Sequence, residues 1–109
     1  FAPDTLAEVQ FSTIVESVGG IPIVGVIDRL VLSQDSALII DFKTNQEVPS
    51  SIDEVPLGIL KQMGAYAASM QKVFPKKNIE LGIIWTHSAE LMKIDVNRAV
   101  SSIGSLRMT

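Results

Sequence analysis

Cysteine is absent from this chain and histidine occurs once, at position 87. Without thiols there is no disulfide scaffold, no zinc ribbon, no thiolate-held iron–sulfur cluster and no cysteine nucleophile. A lone His87 likewise excludes a histidine-rich zinc site. No apolar run approaches the ~20 residues that cross a bilayer as a helix, and no basic-then-apolar leader opens the sequence. The expectation is therefore a cytoplasmic domain with no membrane partner. Basic charge is also scarce: 9 Lys and Arg against 12 Asp and Glu give a net charge of −3. That balance excludes a domain gripping nucleic acid by bulk positive charge. It leaves open a site where acidic side chains hold cations that face phosphates, because a bound cation inverts the local sign. What is present is 109 residues, 47 % hydrophobic and 19 % charged, enough for one domain with a buried core. The chain opens on Phe1 rather than methionine, so residues 1–109 read as a single domain cut from a longer protein.

The periodicity places β-branched and aromatic residues in an extended segment from Ala7 to Glu16, closed by Gly19-Gly20 turn chemistry. A second strand is expected over Ile21–Ser33, with Pro22 at its tolerant start. Gln34-Asp35 forms a tight turn into a third strand, Ser36–Thr44 (SALIIDFKT), apolar on both faces until Asp41 and so placed in the middle of a covered sheet. Asn45 to Pro56 reads as a loop. A helix follows from about Glu54 to Val73, its stripe being Ile59, Met63, Tyr66, Met70 and Phe74. Ser51 and Glu54 have capping-box spacing, and Pro75 closes the helix. A strand pair, Ile79–Thr86 and Ala89–Ile94, turns at His87-Ser88, with His87 on the loop surface. Asp95 caps a final helix over Val96–Leu106. The order is β-β-β-α-β-β-α, an α/β (α+β) layer structure without repeats.

Asp28, Asp41 and Lys43 carry the chemistry. With a two-residue loop at Gln34-Asp35, Ser33 pairs with Ser36 and Asp28 falls opposite Asp41. A three-residue loop would instead put Phe42 there. Opposed β-carbons lie about 4.5–5.5 Å apart, where like charges destabilise, and the period of two brings Lys43 onto the face of Asp41. Two carboxylates and a lysine on an apolar sheet need compensation. The carboxylates share a proton, Lys43 neutralises one of them, or a divalent cation binds between them. Carboxylate oxygens with water describe a Mg²⁺ site completed by a substrate phosphate. A buried Asp41–Lys43 ion pair with Asp28 partly exposed is the plain structural alternative. Gln62 and Tyr66 share a helix face one turn apart. Either Gln62 points at a phosphate or a metal's water shell, or it is half-exposed beside a core tyrosine.

The series Gly25-Val-Ile-Asp28-Arg29, then Ile40-Asp41-Phe42-Lys43-Thr44, then Gln62-Met-Gly-Ala-Tyr66 resembles the PD-(D/E)xK nucleases of the RecB/AddA type. G-x-x-D-R, D-x-K-T and Q-x-x-x-Y in that order are far more specific together than any one piece. With Pro75 and the strand ending Ile84-Trp85-Thr86, the chain from Phe1 to Ile94 looks like the C-terminal nuclease domain of AddA-type double-strand-break repair helicase–nucleases.

The resemblance implies a restriction-endonuclease-like core, a mixed central β-sheet flanked by helices, and a metal-dependent DNA nuclease, an exonuclease acting in end resection. It implies Asp28 and Asp41 as metal ligands, with the Phe42 backbone carbonyl as a third and Glu8 as a weaker candidate. Lys43 would position or activate water or stabilise the transition state, with Asp28, Asp41 and Lys43 as the catalytic set. Gln62 and Tyr66 would orient DNA and support the site, and Arg29 would meet a phosphate or form an ion pair. Mg²⁺ is the implied cofactor, with Mn²⁺ as a substitute, and an iron–sulfur branch is excluded. The implied partners are DNA, a helicase domain in the same full-length chain and a second, AddB-like nuclease subunit. Wider relatives carry a helix before the first strand, and this chain is expected to start after it. The competing function is a catalytically silent nuclease-like scaffold for DNA or subunit contact, although a degenerate copy should have lost one of the three charged residues.

Overall fold

The computed structural model describes residues 4–15 and 21–104. The Gly19-Gly20 turn, Glu16 and the expected helix residues Ser105 and Leu106 lie outside the described residues. Five strands, β1 (Asp4–Val15), β2 (Ile21–Leu32), β3 (Ser36–Lys43), β4 (Asn78–Trp85) and β5 (Glu90–Ile94), form one sheet in sequence order. β1, β2 and β3 run antiparallel, β3 and β4 parallel, and β4 and β5 antiparallel. The parallel step needs a crossover, supplied by α1 (Leu57–Val73), and α2 (Val96–Gly104) ends the described chain.

β3 occupies the centre of the sheet. Its Ala37, Ile39 and Asp41 are buried toward α1, whereas Leu38 and Ile40 on the other face are half-buried. One core joins Ile27, Leu30, Ile39, Leu81, Ile83 and Trp85 to Leu60, Met63, Ala67 and Met70 of α1 and Ala99 of α2. Among the described residues the helices thus cover one face of the sheet. Val24, Val26, Phe42 and Leu91 stay exposed, so the expectation of a strand covered on both sides holds for β3's position but not for its second face.

The β2–β3 turn is the two-residue loop. Ser33 N–H donates to the Ser36 carbonyl at 2.9 Å, the two hydroxyls lie 2.7 Å apart, and Lys77 Nζ donates to the carbonyls of Ser33 and Gln34. The helix α1 starts later than Glu54. Pro56 disfavours helical geometry in the residue before it, and Val55 is extended at φ −66°, ψ 128°. The chain therefore makes a 3-10 turn at Ile52–Glu54, breaks, and restarts at Leu57 with Pro56 as N-cap. The expected capping box does not form: Glu54 Oε1 accepts from Ser50 N–H at 3.0 Å instead. At the other end Pro75 keeps Phe74 out of helical geometry, at φ −122°, ψ 70°. Asp95 does cap α2, its Oδ2 accepting from Arg98 N–H at 3.3 Å.

Two glycines of α1 have opposite surroundings. A Cβ on Gly64 would lie 2.1 Å from the Ala99 carbonyl oxygen, so the α1–α2 contact requires glycine, whereas a Cβ on Gly58 would meet nothing within 4 Å. Gly64→Ala is expected to destabilise the protein by about 1–3 kcal/mol through overpacking, despite the helix-propensity gain. Gly58→Ala is expected to stabilise it by roughly 0.4–1 kcal/mol. Urea unfolding of the two variants checks this, and equal shifts would contradict the packing.

Candidate active site at a fork between β2 and β3

The β2–β3 ladder runs only from Leu32↔Ala37 to Arg29↔Ile40. Its register continues to Asp28 opposite Asp41, as the short turn requires, but there the strands part. β3 stays with β4 as far as Lys43↔Trp85, and β2 continues with β1. The β1–β2 ladder is also interrupted at this level, between Ala7↔Arg29 and Val9↔Ile27. Glu8, facing Asp28 across that gap, has a left-handed φ of 53°, uncommon for a residue with a side chain. Inward alternation on β2 changes phase here, since both Ile27 and Leu30 are buried. Asp28 therefore sits at a local break in two ladders at once.

Parting strands leave backbone groups without ladder partners, and such groups need others. Phe42 N–H, beyond the end of the β2–β3 ladder, donates to Asp28 Oδ2 at 2.9 Å. The Val26 carbonyl on the departing strand accepts from Tyr66 Oη at 3.0 Å. Tyr66 Oη in turn accepts from Gln62 Nε2 at 2.9 Å, and Gln62 Oε1 accepts from Lys43 Nζ at 2.8 Å. An ammonium only donates, so Lys43 fixes which way the Gln62 amide faces and hence the direction of every bond to Val26. The Tyr66 ring reaches this depth because Gly25 leaves room. A Cβ there would lie 3.0 Å from the Phe11 ring and 3.3 Å from the Tyr66 ring, which meet edge to face at 5.7 Å.

Asp41 is 3 % exposed. Its Oδ2 lies 2.9 Å from Lys43 Nζ, yet the approach is too oblique for a hydrogen bond, and the oxygen has no hydrogen-bond donor among the described residues. Burial pushes the Asp41 carboxyl above its ordinary range; Lys43 pulls it down, and the neighbouring Asp28 carboxylate pushes it up again. Burial, with the negative charges of Asp41 and Asp28, also raises the Tyr66 hydroxyl's pKa, against the pull of its Gln62 bond. The tyrosine therefore remains a donor to Val26. Pairing with Lys43 is one compensation the structure contains, and it is incomplete.

Asp28, Asp41, Lys43, Gln62 and Tyr66 are brought together. Gln62 and Tyr66 are committed to Lys43 and Val26. Glu8, Asp28, Arg29 and Phe42 line, with Ala7, a cavity of about 380 Å³. Phe42 projects opposite to Asp41, so this cavity lies on the face away from α1. Among the described residues no three His, Cys, Asp or Glu side chains converge, so Glu8 does not complete a three-acid cluster. His87 is exposed in the β4–β5 turn. A larger hollow of about 680 Å³ is formed by the Asn45–Pro49 loop with Glu54 and Pro56 and shares no lining residue with these groups. Two residues of the strand end Ile84-Trp85-Thr86, noted in the sequence without a role at the site, contribute to it. Thr86 donates from both N–H and Oγ1 to the Lys43 carbonyl, at 2.9 and 3.1 Å, pinning the end of β3. Trp85, beside Lys43 in the ladder, is fully buried with its Nε1–H unpaired among the described residues.

The residues fit a hard divalent cation on one local observation: a buried carboxylate oxygen without a donor, next to a second carboxylate, offers hard oxygen ligands of the kind Mg²⁺ takes. Residues 2–101 match the PD-(D/E)XK nuclease superfamily, and the chain belongs to that superfamily. Its fold resembles the crystal structure of SSO0001, with a TM-score of 0.52 and 17 % sequence identity over 95 % of this chain. The chain spans about half the length of that protein, 50 %. A search of curated protein sequences finds no match.

Two outcomes follow from the site. Because the folded carboxyl of Asp41 titrates above the unfolded value of 3.8, its contribution to stability is fully present below that pH and is lost as pH rises through the folded pKa. Asp41→Asn should therefore melt higher than the parent at pH 7 in EDTA, with the gap closing toward pH 3; a variant that melts lower at pH 7 would contradict this. Tyr66→Phe should cost about 0.5–1.5 kcal/mol by freeing the Val26 carbonyl, read by urea unfolding, with no loss expected if that bond were idle.

Proposed function

We propose that this domain is a Mg²⁺-dependent deoxyribonuclease, with Mn²⁺ able to substitute, that hydrolyses phosphodiester bonds at the fork. The observation that carries the reading is the convergence of three separate sequence motifs, through Asp28, Asp41, Lys43, Gln62 and Tyr66, on one break between strands. Membership of the nuclease superfamily supports it.

Asp28, Asp41 and the Phe42 carbonyl would hold the ion, which supplies positive charge against the phosphate and lowers the pKa of water. Lys43 stands beside Asp41 with its ammonium anchored by Gln62, placed to orient the attacking water or to offset charge developing on the phosphate. Gln62 and Tyr66 act through Lys43 and through Val26, holding the strands apart. Glu8 is the weaker ligand candidate, at the mouth of the fork. The acidic balance of the chain, −3, means that affinity for DNA depends on the ion and on partners more than on surface lysines.

We infer further that the domain is the nuclease module of an AddA/RecB-type enzyme, acting as an exonuclease on DNA ends in double-strand-break repair. A helicase domain in the same full-length chain and a second, AddB-like subunit would deliver the strand. The motif series G-x-x-D-R, D-x-K-T and Q-x-x-x-Y supports that finer assignment. The cytoplasm is the matching location, and no helix among the described residues is long and apolar enough to cross a membrane.

Calorimetric titration with Mn²⁺ is the direct test of the site: the parent should bind, and Asp28→Asn and Asp41→Asn should each lose binding. Lys43→Ala should keep its circular dichroism spectrum and lose about 10²–10⁴-fold in cleavage of linear DNA. A parent that binds no Mn²⁺, or a Lys43→Ala variant that cuts at the normal rate, would overturn the mechanism.

A further inference from the structure

The cavity on the far side of the fork has a composition that the hydrolytic residues do not explain. Its walls are Ala7, Glu8, Asp28, Arg29 and Phe42, and at about 380 Å³ it lies within the range of small-ligand pockets. Arg29 is half-buried and makes no hydrogen bond or ion pair among the described residues. Its planar donors, unclaimed by the protein, suit a phosphate. Phe42 is 39 % exposed, although most of the large apolar side chains of β3 and β4 are buried or half-buried. Its backbone is held on both sides, by Asp28 on its N–H and by the β4 ladder, so the ring is presented from a fixed strand rather than a loose loop.

We propose that this cavity is a subsite for one unstacked nucleotide of a single strand, with Phe42 stacking the base and Arg29 holding its phosphate. An exposed aromatic beside a lone cation is the pairing by which single strands are held without sequence preference. A base still paired in a duplex has no free face to lay on the ring, so the subsite selects single-stranded over duplex DNA. Asp28 borders both the cavity and the Asp41–Lys43 site, so the nucleotide in the subsite is the neighbour of the phosphate presented to the proposed hydrolytic groups. The inference rests on the nuclease reading for that adjacency and on Phe42 and Arg29 for the binding itself.

The test is fluorescence anisotropy of the whole chain with fluorescein-labelled dT12 and with a 12-base-pair duplex, in Ca²⁺. The parent is expected to bind dT12 more tightly than the duplex. Phe42→Leu should weaken dT12 binding about tenfold and leave duplex binding unchanged, as loss of a single base–aromatic stack does. Phe42→Trp should restore the affinity, and its new indole should be quenched by dT12; the native Trp85 is fully buried. Arg29→Gln should lower the slope of log affinity against log salt by about 0.7, one phosphate contact on a single strand. Undetectable binding, equal affinity for dT12 and duplex, a Phe42→Leu variant that binds dT12 like the parent, or an unquenched Phe42→Trp indole would each overturn the subsite. Cleavage in Mn²⁺ separates it from the nuclease reading. A parent that cuts nothing while the binding differences stand removes the nuclease and keeps the subsite. Parent-like binding by both variants with cleavage intact does the reverse.

Discussion

A sheet whose strands part leaves backbone donors and acceptors with nothing to bond, and in this protein the residues that satisfy them are the residues of the site. Beyond Arg29↔Ile40, the N–H of Phe42 is taken by Asp28 and the carbonyl of Val26 by Tyr66. Neither bond is an accessory to the fold. Each replaces a ladder bond that continuous pairing would have supplied, so the opening between β2 and β3 depends on side chains that are also the motif residues. Gly25 belongs to the same arrangement, because a Cβ there would crowd both the Phe11 and the Tyr66 rings, at 3.0 and 3.3 Å.

The charge balance at the fork is unfavourable by itself. Lys43 is shared between Asp41 and Gln62, and its contact with Asp41 is not aligned as a hydrogen bond. Asp28 adds a second negative group, and burial raises the Asp41 carboxyl. A core designed for stability alone would neutralise or remove such a group. Here the strain is confined to a few residues, with the left-handed Glu8 directly across β2, while the surrounding layers of Ile27, Ile39, Ile83 and Met63 are fully buried. Local destabilisation held by a well-packed surround is the usual setting for a site that must bind something.

Much of this arrangement was legible in the sequence for a simple reason: a two-residue turn at Gln34-Asp35 fixes register, and register alone sets Asp28 against Asp41. The element order and the capping of α2 by Asp95 followed from local signals of the same kind. The start of α1 was misplaced because a capping-box spacing at Ser51 and Glu54 competes with the restriction Pro56 puts on Val55, and the proline prevails. The phase change on β2 had no signature. Residues 23, 24, 26, 27 and 30 are all apolar, so either alternation fits the letters. The link from Gln62 to Lys43 spans 19 residues and two elements; the helix period shows that Gln62 and Tyr66 share a face but not what that face meets.

The two faces of the fork differ in what they hold fixed. Toward α1, Lys43, Gln62, Tyr66 and Val26 form one directed chain of donors and acceptors, every orientation set by the ammonium at its head. Away from α1, Arg29 and the Phe42 ring have no such ties. Asp28 joins the two: its Oδ2 is bound to Phe42 N–H, and its side chain borders the open cavity. A movement of Phe42 would therefore be felt by Asp28 through a single hydrogen bond. On the inner face, Gln62 and Tyr66 are committed to Lys43 and Val26. A rigid interior and an untied exterior meeting at one carboxylate are the geometry expected where a flexible polymer must be presented to fixed chemistry.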